Sequence, residues 1–161
     1  MLAHHCCSKV DRVQDSFLEE IGIDAVTAFS DFNLAPLPLR RDIAMLGLIH
    51  RTVLGQGPLH FQQWFFREET GHRRSARREA HEFRIHEYRD GMQLDIVKRS
   101  ALGLCSIYNL LPADIIKAKS VKIFQRSLQD LARDCACRRF PEWQHMYSTR
   151  HMLHIHPLRR I

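Results

Sequence analysis

The 161-residue chain predicts an all-α fold: an irregular bundle of about five helices with a long basic surface loop and a basic C-terminal tail. Three observations carry that expectation. Apolar residues recur at spacings of three and four through most of the chain, and few stretches alternate as a strand would. Glycine and proline cut the pattern into pieces of helix length. A chain of this length buries roughly 70% of the surface its unfolded form exposes, enough for a core without metal or disulfide help. The longest wholly apolar run, Ile43 to Ile49, falls well short of the ~20 residues a bilayer-spanning helix needs.

In the first helix, 9–21, Val10, Val13, Phe17 and Ile21 form one stripe, and Gly22 follows as a stop. A short second helix runs from Asp24 to Phe32. Pro38 suits a first helical position, where its missing N–H costs nothing, and opens a third helix over 38–54. Ile43, Leu46, Gly47, His50, Val53 and Leu54 make its apolar face, and Gly55-Gln56-Gly57-Pro58 ends it. The aromatic run His60-Phe61-Gln62-Gln63-Trp64-Phe65-Phe66 predicts a buried helix over 58–66, its rings serving as core. Residues 67–93 read as a variable surface excursion, since 67–90 hold seven Arg, three His and six acids with little apolar period.

Order returns over 94–111, where Ile96, Ser100, Gly103, Leu104, Ile107 and Leu111 share a helical face until Pro112 breaks it. A short turn follows through Ile115 and Ile116. Ser120 is the expected N-cap of a last helix over 121–137, with Val121, Phe124, Leu128, Leu131, Ala132 and Cys135 as its apolar stripe. The expected core is Phe17, Leu46, Val53, Trp64, Leu104, Ile107, Phe124, Leu128 and Leu131. The helical domain spans 1–137. The tail, 138–161, holds five Arg and four His among Phe140, Trp143 and Tyr147, and reads as a docked irregular arm or a disordered basic tail.

Charge is distributed unevenly. Residues 1–66 carry five basic and seven acidic side chains, whereas 67–161 carry nineteen and eleven, a balance of +8 in the second half. Such a half either steers a polyanion or simply solubilises the surface. Met1 to Cys7 has neither a basic n-region nor a long apolar stretch, so an intracellular location, nuclear or cytoplasmic, and free thiols are expected.

Enzyme signatures are missing. Neither GxxxxGK[ST], GxGxxG nor Gly-x-Ser-x-Gly occurs, and no Asp-Asp pair stands ready for a two-metal centre. His81 and His86 are five apart, where HExxH needs four. Cys135-x-Cys137 with His145, His151, His154 and His156 does not match structural zinc spacings, so no metal or other cofactor is expected. Nothing places a base beside Cys105 or Cys137, so neither is read as a nucleophile. Arg40 and Arg41, by contrast, sit where the positive end of a helix dipole disfavours cations. They either hold a phosphate or pair with acids such as Asp31 or Asp42.

Three blocks point further. Phe32-Asn33-Leu34-Ala35-Pro36-Leu37-Pro38-Leu39-Arg40-Arg41-Asp42, with its apolar helix through His50 and Gly55-Gln56-Gly57-Pro58, is the first. Ser106-Ile107-Tyr108-Asn109-Leu110-Leu111-Pro112-Ala113-Asp114-Ile115 is the second, and Ala118-Lys119-Ser120-Val121-Lys122-Ile123-Phe124-Gln125-Arg126-Ser127-Leu128 the third. In this order they resemble the region after the polymerase core in non-LTR (LINE-type) retrotransposon reverse transcriptases. The resemblance covers about Val10 to Leu131 and implies a helical thumb or post-thumb segment of an RNA-directed DNA polymerase.

That family's metal-binding aspartates and aromatic-x-Asp-Asp motif fall on no position of this chain, so no catalytic residue carries over and no enzyme is expected on its own. The resemblance implies a non-catalytic remnant of a transposable element, its palm lying before Met1. The family's zinc knuckle is not reproduced by Cys135, Cys137 and His145. The expected activity is phosphate-mediated binding of RNA or an RNA/DNA duplex by Arg40, Arg41, Lys98, Arg99, Lys117, Lys119 and Lys122, with the arginines of 138–160 auxiliary. The alternative is a protein-interaction or inert helical fragment that packs on a separate polymerase core. No membrane partner is expected.

Overall fold

The computed structural model describes residues 2–67, 84–88, 95–98, 100–149 and 155–160. They fold as an all-α domain whose elements follow local signals closely. α1 (Leu2–Glu20) begins earlier than its apolar stripe implied, and it ends on Gly22, which takes a φ of +70°. There the Gly22 and Ile23 N–H groups reach back to the Glu19 and Leu18 carbonyls at 3.1 and 3.0 Å. α2 (Ala25–Phe32) is capped by Asp24, whose carboxylate accepts from the Val26 and Thr27 N–H groups at 2.8 and 2.9 Å. These bonds, that from Thr27 foremost, hold the Asp24 carboxyl below its usual range. α3 (Leu37–Val53) carries Pro38 in its first turn and closes on Gly55.

Two expected helices are corrected. The 58–66 helix shrinks to one turn, α4 (Leu59–Gln62): the Phe65 N–H still reaches the Phe61 carbonyl at 3.0 Å, but the carbonyls that would carry the helix on bond elsewhere. The Trp64 carbonyl accepts from the Tyr88 hydroxyl at 2.8 Å, the Phe66 carbonyl accepts from the His86 N–H at 3.3 Å, and Arg67 bridges Ile85 antiparallel. The 94–111 helix is broken into α5 (Asp95–Lys98) and α6 (Cys105–Tyr108). Between them Ser100 Oγ donates to the Val97 carbonyl at 2.6 Å and accepts from the Leu102 N–H at 3.2 Å. Gly103 lies so close to the Lys98 carbonyl that a Cβ there would collide with it. The chain then forms α7 (Ala113–Ile116) and α8 (Val121–Cys137), the latter with Ser120 Oγ accepting from the Ile123 N–H.

α3 packs along α8, and α2, α7 and the 3-10 turn Trp143–His145 pack against α8 as well. His50 near the end of α3 lies beside Phe124 near the start of α8, so the two helices run antiparallel. Leu39, Leu46, Ile49, Leu104, Ile107, Phe124 and Leu128 are wholly buried between them. Phe17 and Trp64 are not core, and Val53 and Leu131 only flank it. The described parts of the tail dock. Tyr147 is buried with its hydroxyl donating to the Leu128 carbonyl at 2.8 Å, and Trp143 stacks on Phe29 at 5.7 Å. Burial drives the Tyr147 hydroxyl well above its ordinary pKa. His156, fully buried, accepts from the Leu158 N–H and donates to the Ser148 carbonyl at 3.2 Å. No helix among the described residues is long and apolar enough to cross a membrane.

Candidate nucleic-acid interface

The three sequence blocks meet at one buried histidine. His50 Nε2 donates to the Ala118 carbonyl at 2.9 Å, because a carbonyl can only accept, and Nδ1 therefore accepts from the Tyr108 hydroxyl at 2.9 Å. Phe124 stacks on the imidazole at 4.1 Å and 9°. One turn earlier, Gly47 leaves room for the Gln125 side chain, which a Cβ would strike. His50 is thereby held neutral: burial lowers its pKa below the ordinary value, and the Ala118 hydrogen bond opposes this only in part. Burial likewise raises the Tyr108 hydroxyl, which stays protonated as a donor. This cluster is a joint, and its chemistry is positional.

What the joint positions is at the surface. Ala118 sits between Lys117 and Lys119, and both of these lysines, with Lys122, are exposed around the first turn of α8. That turn contains no acid, and its opening N–H groups have no partner within the helix. Three cations at the positive end of a dipole are unfavourable alone and favourable around an anion.

On the other side of the joint, Asn109 follows Tyr108 and clamps the 84–88 segment. Its amide accepts from the Ile85 N–H at 3.0 Å and donates to the Ile85 carbonyl and to Glu87 Oε1, both at 2.9 Å. Ile85 is fully buried, so the residues after it are fixed against 63–67. The result is a groove of about 280 Å³ lined by Gln63, Trp64, Phe66, His86 and Tyr88. Phe66 stacks on His86 at 5.4 Å, and Trp64 and Tyr88 face each other at 5.8 Å. Trp64 and Phe66 remain 43% and 46% exposed, contrary to their expected place in the core. Exposed aromatic faces of this kind accept stacked bases or other flat groups. Sequence reading missed the groove because its two halves, 63–66 and 86–88, lie about twenty residues apart and are joined by the Tyr88 hydroxyl on the Trp64 carbonyl and the His86 N–H on the Phe66 carbonyl.

The remaining expected contacts are scattered. Arg40 is exposed at the start of α3, the opposite end of the α3/α8 pair from the three lysines. Arg41 does pair with an acid, but with Asp11 of α1, through two bonds of 2.8 and 2.9 Å. Lys98 is exposed beside the tail, where Thr149 Oγ1 donates to its carbonyl at 2.8 Å. Arg99 lies outside the described residues, as does most of the 67–93 excursion.

Among the described residues no group of three or more His, Cys, Asp or Glu side chains stands together as a metal site. Cys105 is buried and its thiol is pushed up to about 12, chiefly by desolvation, which removes the thiolate a nucleophile needs. No family model, no curated protein and no solved structure matches this chain.

Proposed function

We propose that this chain is a non-catalytic helical module that binds RNA or an RNA/DNA duplex, a relative by resemblance of the thumb region of non-LTR retrotransposon reverse transcriptases, acting inside the cell. One observation carries the binding reading. The Lys117, Lys119 and Lys122 cluster and the Trp64/Phe66/His86/Tyr88 groove are both tied to the His50–Tyr108–Asn109 joint, the lysines through Ala118 and the groove through Asn109 and Ile85, which supports a reading with cations for phosphates and rings for unpaired bases. Arg40, Lys98 and Arg99 are secondary contacts in this reading.

Fluorescence anisotropy with an RNA duplex bearing a single-stranded overhang tests it. Affinity falls steeply with salt, by about 0.7 to 0.9 log units per log unit of salt for each phosphate contacted. Replacing Lys117, Lys119 and Lys122 together by Glu reduces that slope, whereas Trp64→Ala weakens overhang binding by about 1–3 kcal/mol and leaves the slope unchanged. A flat salt response overturns the reading.

A second reading, a protein-interaction module that docks on a partner such as a separate polymerase core, is favoured by α1. Its apolar stripe lies in solvent: Val10, Val13, Phe17 and Ile21 are 53%, 69%, 50% and 45% exposed.

A further inference from the structure

α1 is attached to the domain by the wrong side for an ordinary amphipathic helix. Asp11 pairs with Arg41, and Gln14 donates to the Ala35 carbonyl at 3.2 Å and accepts from the Leu37 N–H at 3.0 Å. Among the α1 residues whose burial is described, Leu18 is the buried apolar one. Polar groups thus turn α1 so that Val10, Val13, Phe17 and Ile21 stand outward along about 16 Å of helix, at 1.5 Å per residue. Their spacing of three and four is that of a coiled-coil seam.

At about 100° per residue Lys9 and Glu20 flank the seam, whereas Arg12, Asp15 and Glu19 lie on the opposite side of the helix. Lys9 and Arg12 lie in the N-terminal part, Asp15, Glu19 and Glu20 in the C-terminal part, and all five are exposed. Among the described residues none of the five enters an ion pair. Glu19 and Glu20 occupy the last turn, where the helix dipole disfavours anions, and no basic residue accompanies them there. The flank of the seam therefore carries an unpaired cation, Lys9, near one end and an unpaired anion, Glu20, at the other.

We infer that α1 pairs antiparallel with α1 of a second copy of this chain, joining Val10, Val13, Phe17 and Ile21 across a two-fold axis. Only the antiparallel sense sets Lys9 of each copy against Glu20 of the other and supplies a cation to both C-terminal turns. A parallel pair sets like charge on like. The inference rests on the protein-interaction reading and names its partner as a second copy.

Sedimentation equilibrium of the full chain, from low to high micromolar concentration, tests it. A dimer is expected, weakened about tenfold or more per residue by Val13→Ser and Phe17→Ser. Because both side chains are exposed in the monomer, circular dichroism of these variants is unchanged. Glu20→Lys weakens an antiparallel pair and leaves a parallel one unaffected, so no weakening overturns the inference. A chain that stays monomeric also overturns it. If that monomer binds a purified reverse-transcriptase core, and loses the binding on Val13→Ser and Phe17→Ser, the protein-interaction reading survives alone. If nothing depends on the seam, both fall.

Discussion

α1 and α8 are both amphipathic on their sequences, and the domain treats them oppositely. α8 turns Phe124, Leu128, Ala132 and Cys135 into the core and leaves Lys122, Arg126 and Asp130 outside. α1 turns Asp11 and Gln14 inward and leaves its apolar stripe in solvent. The difference teaches that an apolar period identifies a face and not its neighbour. Helix α8 lies against α3, α2, α7 and the tail and has apolar surface to meet on every inward side. Helix α1 meets the start of α3 and the loop before it, where its partners are the Arg41 guanidinium, the Ala35 carbonyl and the Leu37 N–H, so polar residues make the better contact.

The comparison is tested most severely by matched truncations. Phe124→Ala removes a ring packed against both His50 and Tyr108 and is expected to cost about 3–5 kcal/mol of unfolding free energy. Phe17→Ala, at concentrations where the chain is monomeric, is expected to stay within about 0.5 kcal/mol of the parent. Urea denaturation of both variants decides it, and equal losses would erase the distinction drawn between the helices.

A smaller effect sharpens the α3/α8 side. The folded pKa of His50 lies below its ordinary 6.5, so as pH falls the unfolded chain takes up the proton first. The stability that goes with a neutral His50 is therefore complete above about pH 6.5 and is lost progressively below it. Denaturation midpoints measured from pH 8 to pH 5 should decline on the acid side. In His50→Gln, which keeps hydrogen-bonding capacity without the titration, that decline should be shallower.

The smallest effect belongs to the α1 side. The Asp11–Arg41 pair is partly solvent-exposed, and Arg41→Met is expected to change global stability by no more than about 1 kcal/mol. Its signature is local: hydrogen exchange of the α1 amides should quicken while that of the α8 amides holds. Equal changes in both helices would show that α1 is bound by more than its polar contacts.

Much of the fold was legible because its signals are short-ranged. Ser120 caps α8 within three residues, Asp24 caps α2 within three, and Gly22 and Gly55 end α1 and α3 by reversing φ at a single position. The aromatic run at 58–66 misled for the complementary reason. Hydrophobicity argued for burial, and Phe65 is buried, yet the Trp64 and Phe66 carbonyls bond to Tyr88 and His86 instead of continuing the helix, and Trp64 and Phe66 stay at the surface. The Tyr108-Asn109 dipeptide was visible as part of a block, but its partners His50, Ile85 and Glu87 stand at distances along the chain that no period encodes.

The sequence by itself determined the helical class, the bounds of α2, α3 and α8, and the absence of a recognisable catalytic motif. Each of these depends on groups a few residues apart, whose hydrogen bonds and steric limits act before any long-range contact exists. Tertiary structure decided which faces are covered: the docking of the tail through Trp143 and Tyr147, the break at Gly103, the outward stripe of α1 and the meeting of three blocks at His50. Burial is a competition among all surfaces for one interior, and its outcome is set by the whole set of neighbours at once.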